Sequence, residues 1–214
     1  SVAPGADSLK QAVKRVSAAL SGVSMKIEDM IAQDDKVAVR LLLKTVYRRV
    51  VGEYNDDKEE LNAKHAAQFP VHIKNHVVAG LLEERMVSLF NLETLGAALK
   101  MERDELLNYA GLSSLLDRYS MRDINQKRVE TPQYFWMRVA MGLSYNEKNP
   151  TQAAIKFYEK MSQLLYIAGG STNLGAGTSR PALSNCFLLE VHDDMDHIAK
   201  SVADVLKISK SSGG

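Results

Sequence analysis

The sequence predicts a mainly α-helical chain that ends in one buried strand and one last helix. Three observations point there. Apolar residues recur three or four apart in stretches from Leu9 to Leu165, the period of helices that bury one face. Cap and stop residues bracket these stretches. Only one segment, residues 182–191 (ALSNCFLLEV), reads as a convincing strand, and its apolar run suits burial on both faces. A chain of 214 residues can form one large domain or two small ones around a real core.

Taken in order, residues 1–8 are small and polar and read as a loose leader. Leu9, Ala12, Val13, Val16 and Leu20 are spaced for one helical face, and Ser24 suits the start of another helix. A third runs from Lys36 to Gly52, with Arg48 and Arg49 in the last turn, where cations suit the helix dipole. The charged stretch 53–65 reads as a surface connection. Pro70 marks a helix start in 69–90, and short helical pieces follow to Met121. Thr131 and Pro132 are a cap and first-turn pair for a helix with Trp136, Val139, Ala140 and Leu143 inward. Thr151 reads as the cap of the next, with Ala154, Phe157, Tyr158, Met161 and Leu165 inward. Residues 168–181 hold four of the thirteen glycines and read as an ordered loop. Asp193 or Asp194 caps a last helix carrying Met195, Ile198, Val202, Val205 and Leu206. The strand at 182–191 is an orphan. Its backbone needs neighbours that lie either in unrecognised strands or in sequence absent from this chain.

The balance of 27 basic and 26 acidic residues gives no electrostatic argument for nucleic acid or a membrane surface as partner. A single cysteine cannot form an internal disulfide and fits a reducing compartment. No apolar run approaches membrane-spanning length, so the expected location is the cytoplasm.

Candidate sites each have a plainer alternative. His72 and His76 share one helical face, and His192 and His197 bracket three aspartates. Zinc needs a third ligand and usually a fourth, which the first pair lacks, and the second cluster could ligate a metal but sits where a helix N-terminus attracts aspartates anyway, so no metal site is expected. The glycine-rich stretch matches neither a Walker loop nor a dinucleotide fingerprint and reads first as a connection, though it can admit a ligand close to its backbone. Cys186 read alone is a small buried hydrophobe, because a reactive thiol needs an activating or redox partner.

Residues 129–214 change that reading. The order VETPQYFWMRVAMGL, then FYEKMSQLLYIAGGSTNLGAGTSRPALSNCFLLEVHDDMDHI, then ISKSSGG closely resembles the opening of the catalytic barrel of the ribonucleotide reductase large subunit. Upstream, GLSSLLDRYSMRD resembles that family's helical N-terminal region more loosely. The resemblance implies a helical region over 1–128. It also implies that 129–214 holds the first strand and helix of a ten-stranded α/β barrel completed by another polypeptide segment.

It further implies that Cys186 is a redox-active cysteine on the first barrel strand, oxidised to a disulfide with a second cysteine from a later strand. Gly170, Ser171, Thr172 and Asn185 would join Cys186 in binding substrate. Asp193, Asp194 and Met195 would bind the base and sugar of a deoxynucleoside triphosphate effector. Two positions depart from the family pattern: Gly170 stands where a Thr or Ser is usual, and Asn185 where a second Ser is usual. No ATP-cone motif is recognisable.

The family's radical-bearing cysteine, catalytic asparagine and glutamate and resolving cysteine lie downstream of the matching stretch. The chain is therefore expected to be an N-terminal piece that is inactive alone. On this reading it binds no cofactor itself. The radical comes from a metal-containing small subunit or from adenosylcobalamin, and the effector is a deoxynucleoside triphosphate or ATP. The implied partners are a complementary C-terminal fragment, a second large subunit, the small subunit, a thioredoxin- or glutaredoxin-type reductant and a nucleotide substrate. The alternative is a non-catalytic helical interaction or nucleotide-sensing module built on the same fold.

Overall fold

The computed structural model describes residues 34–54, 57–211 and 213–214, so the helices expected before residue 34 lie outside the described residues. Two compact units emerge. One comprises the described residues up to His65 with Lys100–Gln133, the other Ala66–Leu99 with Tyr134–Gly214.

In the first unit, helix α1 (Asp34–Val51) buries Val39, Leu43, Val46 and Tyr47, three or four apart as one face requires. Arg48 and Arg49 occupy its last turn and Gly52 follows at φ +90°, as the sequence predicts. Helix α2 (Lys58–Val78) opens on Glu59 and Glu60 and brings His65 into this unit. Its start corrects an expectation: Pro70 lies inside α2, twelve residues beyond its first residue. An interior proline costs about 3 kcal/mol of helix stability. Burial of Pro70 and its neighbours Phe69 and Ile73 opposes that cost.

Two further helices of the second unit, α3 (Arg85–Ser88) and α4 (Leu92–Ala97), come next in the chain. Back in the first unit, a 3-10 helix (Met101–Leu106) precedes α5 (Tyr109–Ser114), and a single π-turn covers Leu115–Tyr119. The side chain of Asn108 caps α5 by accepting from the N–H of Gly111 at 2.7 Å. Leu112, Leu115 and Leu116 are buried, and α1 packs on α5.

The centre of the second unit is α6 (Pro132–Leu143), which does start on its proline. It is buried on every side. Tyr134, Phe135, Trp136, Met137, Val139, Ala140 and Met141 are all inaccessible, and so is Arg138. Helix α7 (Pro150–Ser162) follows, with Pro150 in its first turn. Its cap is Asn149, whose side chain accepts from the N–H of Gln152, and not Thr151 as expected. The hydroxyl of Thr151 instead accepts from the N–H of Asn91 at 3.0 Å. Ala154, Tyr158 and Met161 point inward, whereas Phe157 and Leu165 are exposed.

The glycine-rich stretch is not wholly a loop, because Gly170–Gly175 forms the short helix α8. Residues 181–192 have no helix, and no strand is assigned among the described residues. The expected strand therefore lacks a sheet. A strand becomes one through neighbouring strands, and among the described residues Gly214 alone begins to serve as its neighbour, as described below. The last helix, α9 (Met195–Lys210), carries its apolar residues as predicted, but Met195, Ile198, Val202, Val205 and Leu206 are all exposed.

Candidate functional site

The residues expected around a substrate assemble at α8. The first turn of a helix leaves backbone N–H groups without partners, and the side chain of Asn185 supplies one. Its Oδ1 accepts from the N–H of Ser171 at 2.8 Å. The hydroxyl of Thr172 donates to the carbonyl of Leu183 at 3.0 Å. Gly169 makes room for this arrangement: a Cβ there would lie 1.7 Å from Nδ2 of Asn185. Gly170, Ser171, Thr172 and Asn185 thus form one connected group, and Cys186 is the next residue. Its thiol is free and exposed.

The backbone around Cys186 has a partner that the sequence did not reveal. The N–H of Phe187 donates to the carbonyl of Gly214 at 2.8 Å, and the N–H of Gly214 donates to the carbonyl of Asn185 at 3.1 Å. Two bonds exchanged in this order with residues on either side of Cys186 are the pattern of a parallel pair. Extended segment, helix α9 and parallel return follow one another in the chain order of a β-α-β unit, although neither arm is assigned as a strand. A cavity of about 360 Å³ lies beside it, lined by Pro181, Leu183, Phe187, Lys207, Ile208 and Gly213 among others.

The expected effector residues sit at the other end of α9. Asp194 is its cap: Oδ2 accepts from the N–H of His197 at 2.9 Å. Asp193 and Met195 are exposed on either side of it. The 16 residues of α9 make about 24 Å of helix at 1.5 Å per residue. That length lies between this acidic turn and the pairing at Gly214.

His72 and His76 lie side by side, their ring centroids 4.3 Å apart. His76 Nδ1 lies 2.7 Å from the carbonyl of His72, and the His72 ring packs on Tyr134. Among the described residues, no group of three or more His, Cys, Asp or Glu could hold a metal ion. Nor is any helix among them long and apolar enough to cross a membrane.

Sequence reasoning missed three buried polar groups. Arg138 donates to the carbonyls of Ala176 at 2.7 Å and Asn173 at 3.3 Å, with its guanidinium over the Phe135 ring. A lone charge on an otherwise apolar helix was the available signal, since a buried charge requires polar partners. In the first unit, Asp104 takes hydrogen bonds from Tyr47 and from the Gln133 amide. Burial raises its pKa to about 7, against the two hydrogen bonds, which lower it. Nearby, His65 Nε2 lies 2.8 Å from the Thr131 hydroxyl, and burial depresses the His65 pKa to about 3.

Comparison with known proteins adds the family. Residues 105–181 match the family described as ribonucleotide reductase, all-alpha domain. The ribonucleoside-diphosphate reductase subunit alpha of Chlamydia trachomatis is 37% identical over 183 residues, 83% of this chain and 17% of the relative. That of Helicobacter pylori is 32% identical over 186 residues, 83% of this chain and 21% of the relative. The large subunit of Danio rerio is 31% identical over 172 residues, 80% of this chain and 20% of the relative. The chain thus spans only 17% to 21% of the length of these curated relatives. These matches and the helical architecture agree: the chain belongs to the ribonucleotide reductase large-subunit family and corresponds to its N-terminal, all-alpha region.

Proposed function

We propose that this chain supplies one wall of the active site of a ribonucleotide reductase, residues 129–214 being the opening of a barrel that further polypeptide completes. The observation that carries the proposal is the parallel pairing of Gly214 with the backbone on either side of Cys186. An extended segment already returning through a helix to a parallel neighbour is what a growing parallel sheet requires. The exposed apolar residues Phe187, Leu188, Leu189 and Val191 also call for cover.

In this role Cys186 is one of two reducing thiols. Reduction of the substrate takes two electrons and removes the 2′-hydroxyl as water. The electrons come from Cys186 and a second cysteine on the completing polypeptide, which end as a disulfide. An external dithiol of thioredoxin or glutaredoxin type restores them by exchange. Gly170, Ser171, Thr172 and Asn185 hold the ribonucleotide beside that thiol. The backbone amides and the Ser171 and Thr172 hydroxyls provide polar groups where Gly170 lacks a side chain. Asp193, Asp194 and Met195 hold a deoxynucleoside triphosphate or ATP effector at the far end of α9, with Asp193 free to accept from a ribose hydroxyl while Asp194 caps the helix. The radical comes from a metal-containing small subunit or adenosylcobalamin, in a cytoplasmic assembly that includes a second large subunit.

The test is reconstitution. The chain alone should form no deoxyribonucleotide. Mixed with the complementary large-subunit polypeptide, a radical source and a dithiol, it should do so catalytically. A correctly assembled mixture with no turnover would leave the non-catalytic interaction or nucleotide-sensing module as the better reading.

A further inference from the structure

Helix α8 is six residues long, and a helix that short does not persist without help at its ends. Gly169, at its N-terminal boundary, has no side chain with which to cap it. Asn185 provides the help there, through Ser171. The other end has four carbonyls to satisfy. Two carbonyls of that end, those of Asn173 and Ala176, accept from Arg138. A cation among C-terminal carbonyls also suits the helix dipole. Arg138 belongs to the middle of α6, whose neighbouring residues are all buried, so its anchor is rigid. Gly177 presses against the arginine stem, where a Cβ would lie 3.0 Å from Arg138 Cγ.

We propose that Arg138 is a positioning residue for the substrate: by fixing the C-terminal end of α8 it sets where Gly170, Ser171 and Thr172 stand beside Cys186. The inference rests on the substrate-wall reading. Toward α8, Arg138 donates to backbone carbonyls of the loop's frame. Its planar fork reaches two carbonyls at once, and lysine, whose three donors sit on one compact nitrogen, cannot reproduce that geometry. A looser α8 leaves Cys186 and its strand intact but presents the ribonucleotide with a mobile wall, so the loss falls on substrate binding and not on the chemical step.

The experiment uses Arg138→Lys and Arg138→Gln in two forms. In the chain itself, amide exchange is read over residues 171–178. In the reductase assembled with the complementary polypeptide, kcat and KM are read with cytidine diphosphate. For Arg138→Lys, exchange over 171–178 should quicken about tenfold or more while the amides of α7 keep their rates. KM should rise about tenfold with kcat within about twofold, the signature of lost ground-state binding. An unchanged KM in a folded variant that shows the faster exchange would overturn the positioning role and leave the substrate-wall reading standing. Loss of the cooperative melt in both variants would also overturn it, making Arg138 a residue of the core alone. Failure of the wild-type assembly to reduce cytidine diphosphate would overturn the substrate-wall reading, and this inference with it.

Discussion

Replacing Asp104 with Asn should remove a pH dependence built into the first unit. The carboxyl is 1% exposed and has only neutral hydrogen-bonding partners, Tyr47 and Gln133. Glu102 nearby adds a like charge that raises its pKa further. Burial favours the neutral acid here, because it removes the water that would stabilise the charge, and this outweighs the two hydrogen bonds the carboxyl accepts. Its pKa therefore rises from 3.8 to about 7 on folding. For an acid with a raised folded pKa, the unfolded chain ionises first, so stability is fully present below pH 3.8 and is lost as pH climbs through 7. At 1.36 kcal/mol per unit, the rise from pH 5 to 7 costs about 3 kcal/mol.

His65 works in the opposite sense. Its folded pKa is depressed from 6.5 to about 3, so its contribution is present above pH 6.5 and is lost as pH falls towards 3. The two slopes oppose each other between pH 3.8 and 6.5, and the wild-type curve there should be nearly flat. The comparison with Asp104→Asn cancels the histidine. Urea unfolding of both chains, followed by circular dichroism at pH 5, 6, 7 and 8, should show the variant gaining on the wild type by about 3 kcal/mol between pH 5 and 7, then levelling off. Parallel stability curves, or a variant that loses ground as pH rises, would refute the reasoning.

Three further outcomes follow from the geometry. Gly142→Ala should destabilise the chain by about 1–3 kcal/mol in thermal melts, despite alanine's better helix propensity, because the overpacked site cannot relax. The added Cβ would sit 2.2 Å from the backbone N of Gly177. Asn149→Ala should cost about 1 kcal/mol through loss of the α7 cap, whereas Thr151→Val should leave that cap and its Gln152 contact in place, as exchange at the Gln152 amide will report. In an assembled reductase, Asp193→Ala should blunt the effect of a deoxynucleotide effector on substrate choice more than it lowers basal turnover. The lost hydrogen bond corresponds to about 0.5–3 kcal/mol, and an unchanged effector response would return Asp193 to a surface role.

Much of the helical frame was legible in the sequence because caps and ends are local. Arg48, Arg49 and Gly52 end α1, Pro132 opens α6 and Asp194 caps α9, each within a few residues of the feature it controls. Tertiary contacts overruled the local signals elsewhere. Pro70 reads as a start, yet packing carries α2 through it. The glycines of 168–181 read as a loop, yet Asn185 and Arg138, remote in sequence, hold six residues of it helical. The buried carboxyl of Asp104 could not be foreseen, since its partners lie 57 and 29 residues away. The resemblance gathered residues 170–172 with Cys186, and the structure joins that stretch to Asn185 by a hydrogen bond. The return of Gly214 to Cys186 was invisible because a glycine pair carries no strand pattern.

The most direct test of the central claim is multi-turnover reduction of a ribonucleotide by the assembled enzyme with Cys186→Ser, driven by a dithiol reductant. Serine keeps the backbone and nearly the volume but cannot enter a disulfide. The account predicts sustained turnover for the wild type and none for the variant. Turnover near the wild-type level would contradict it and make Cys186 an ordinary residue of an extended segment.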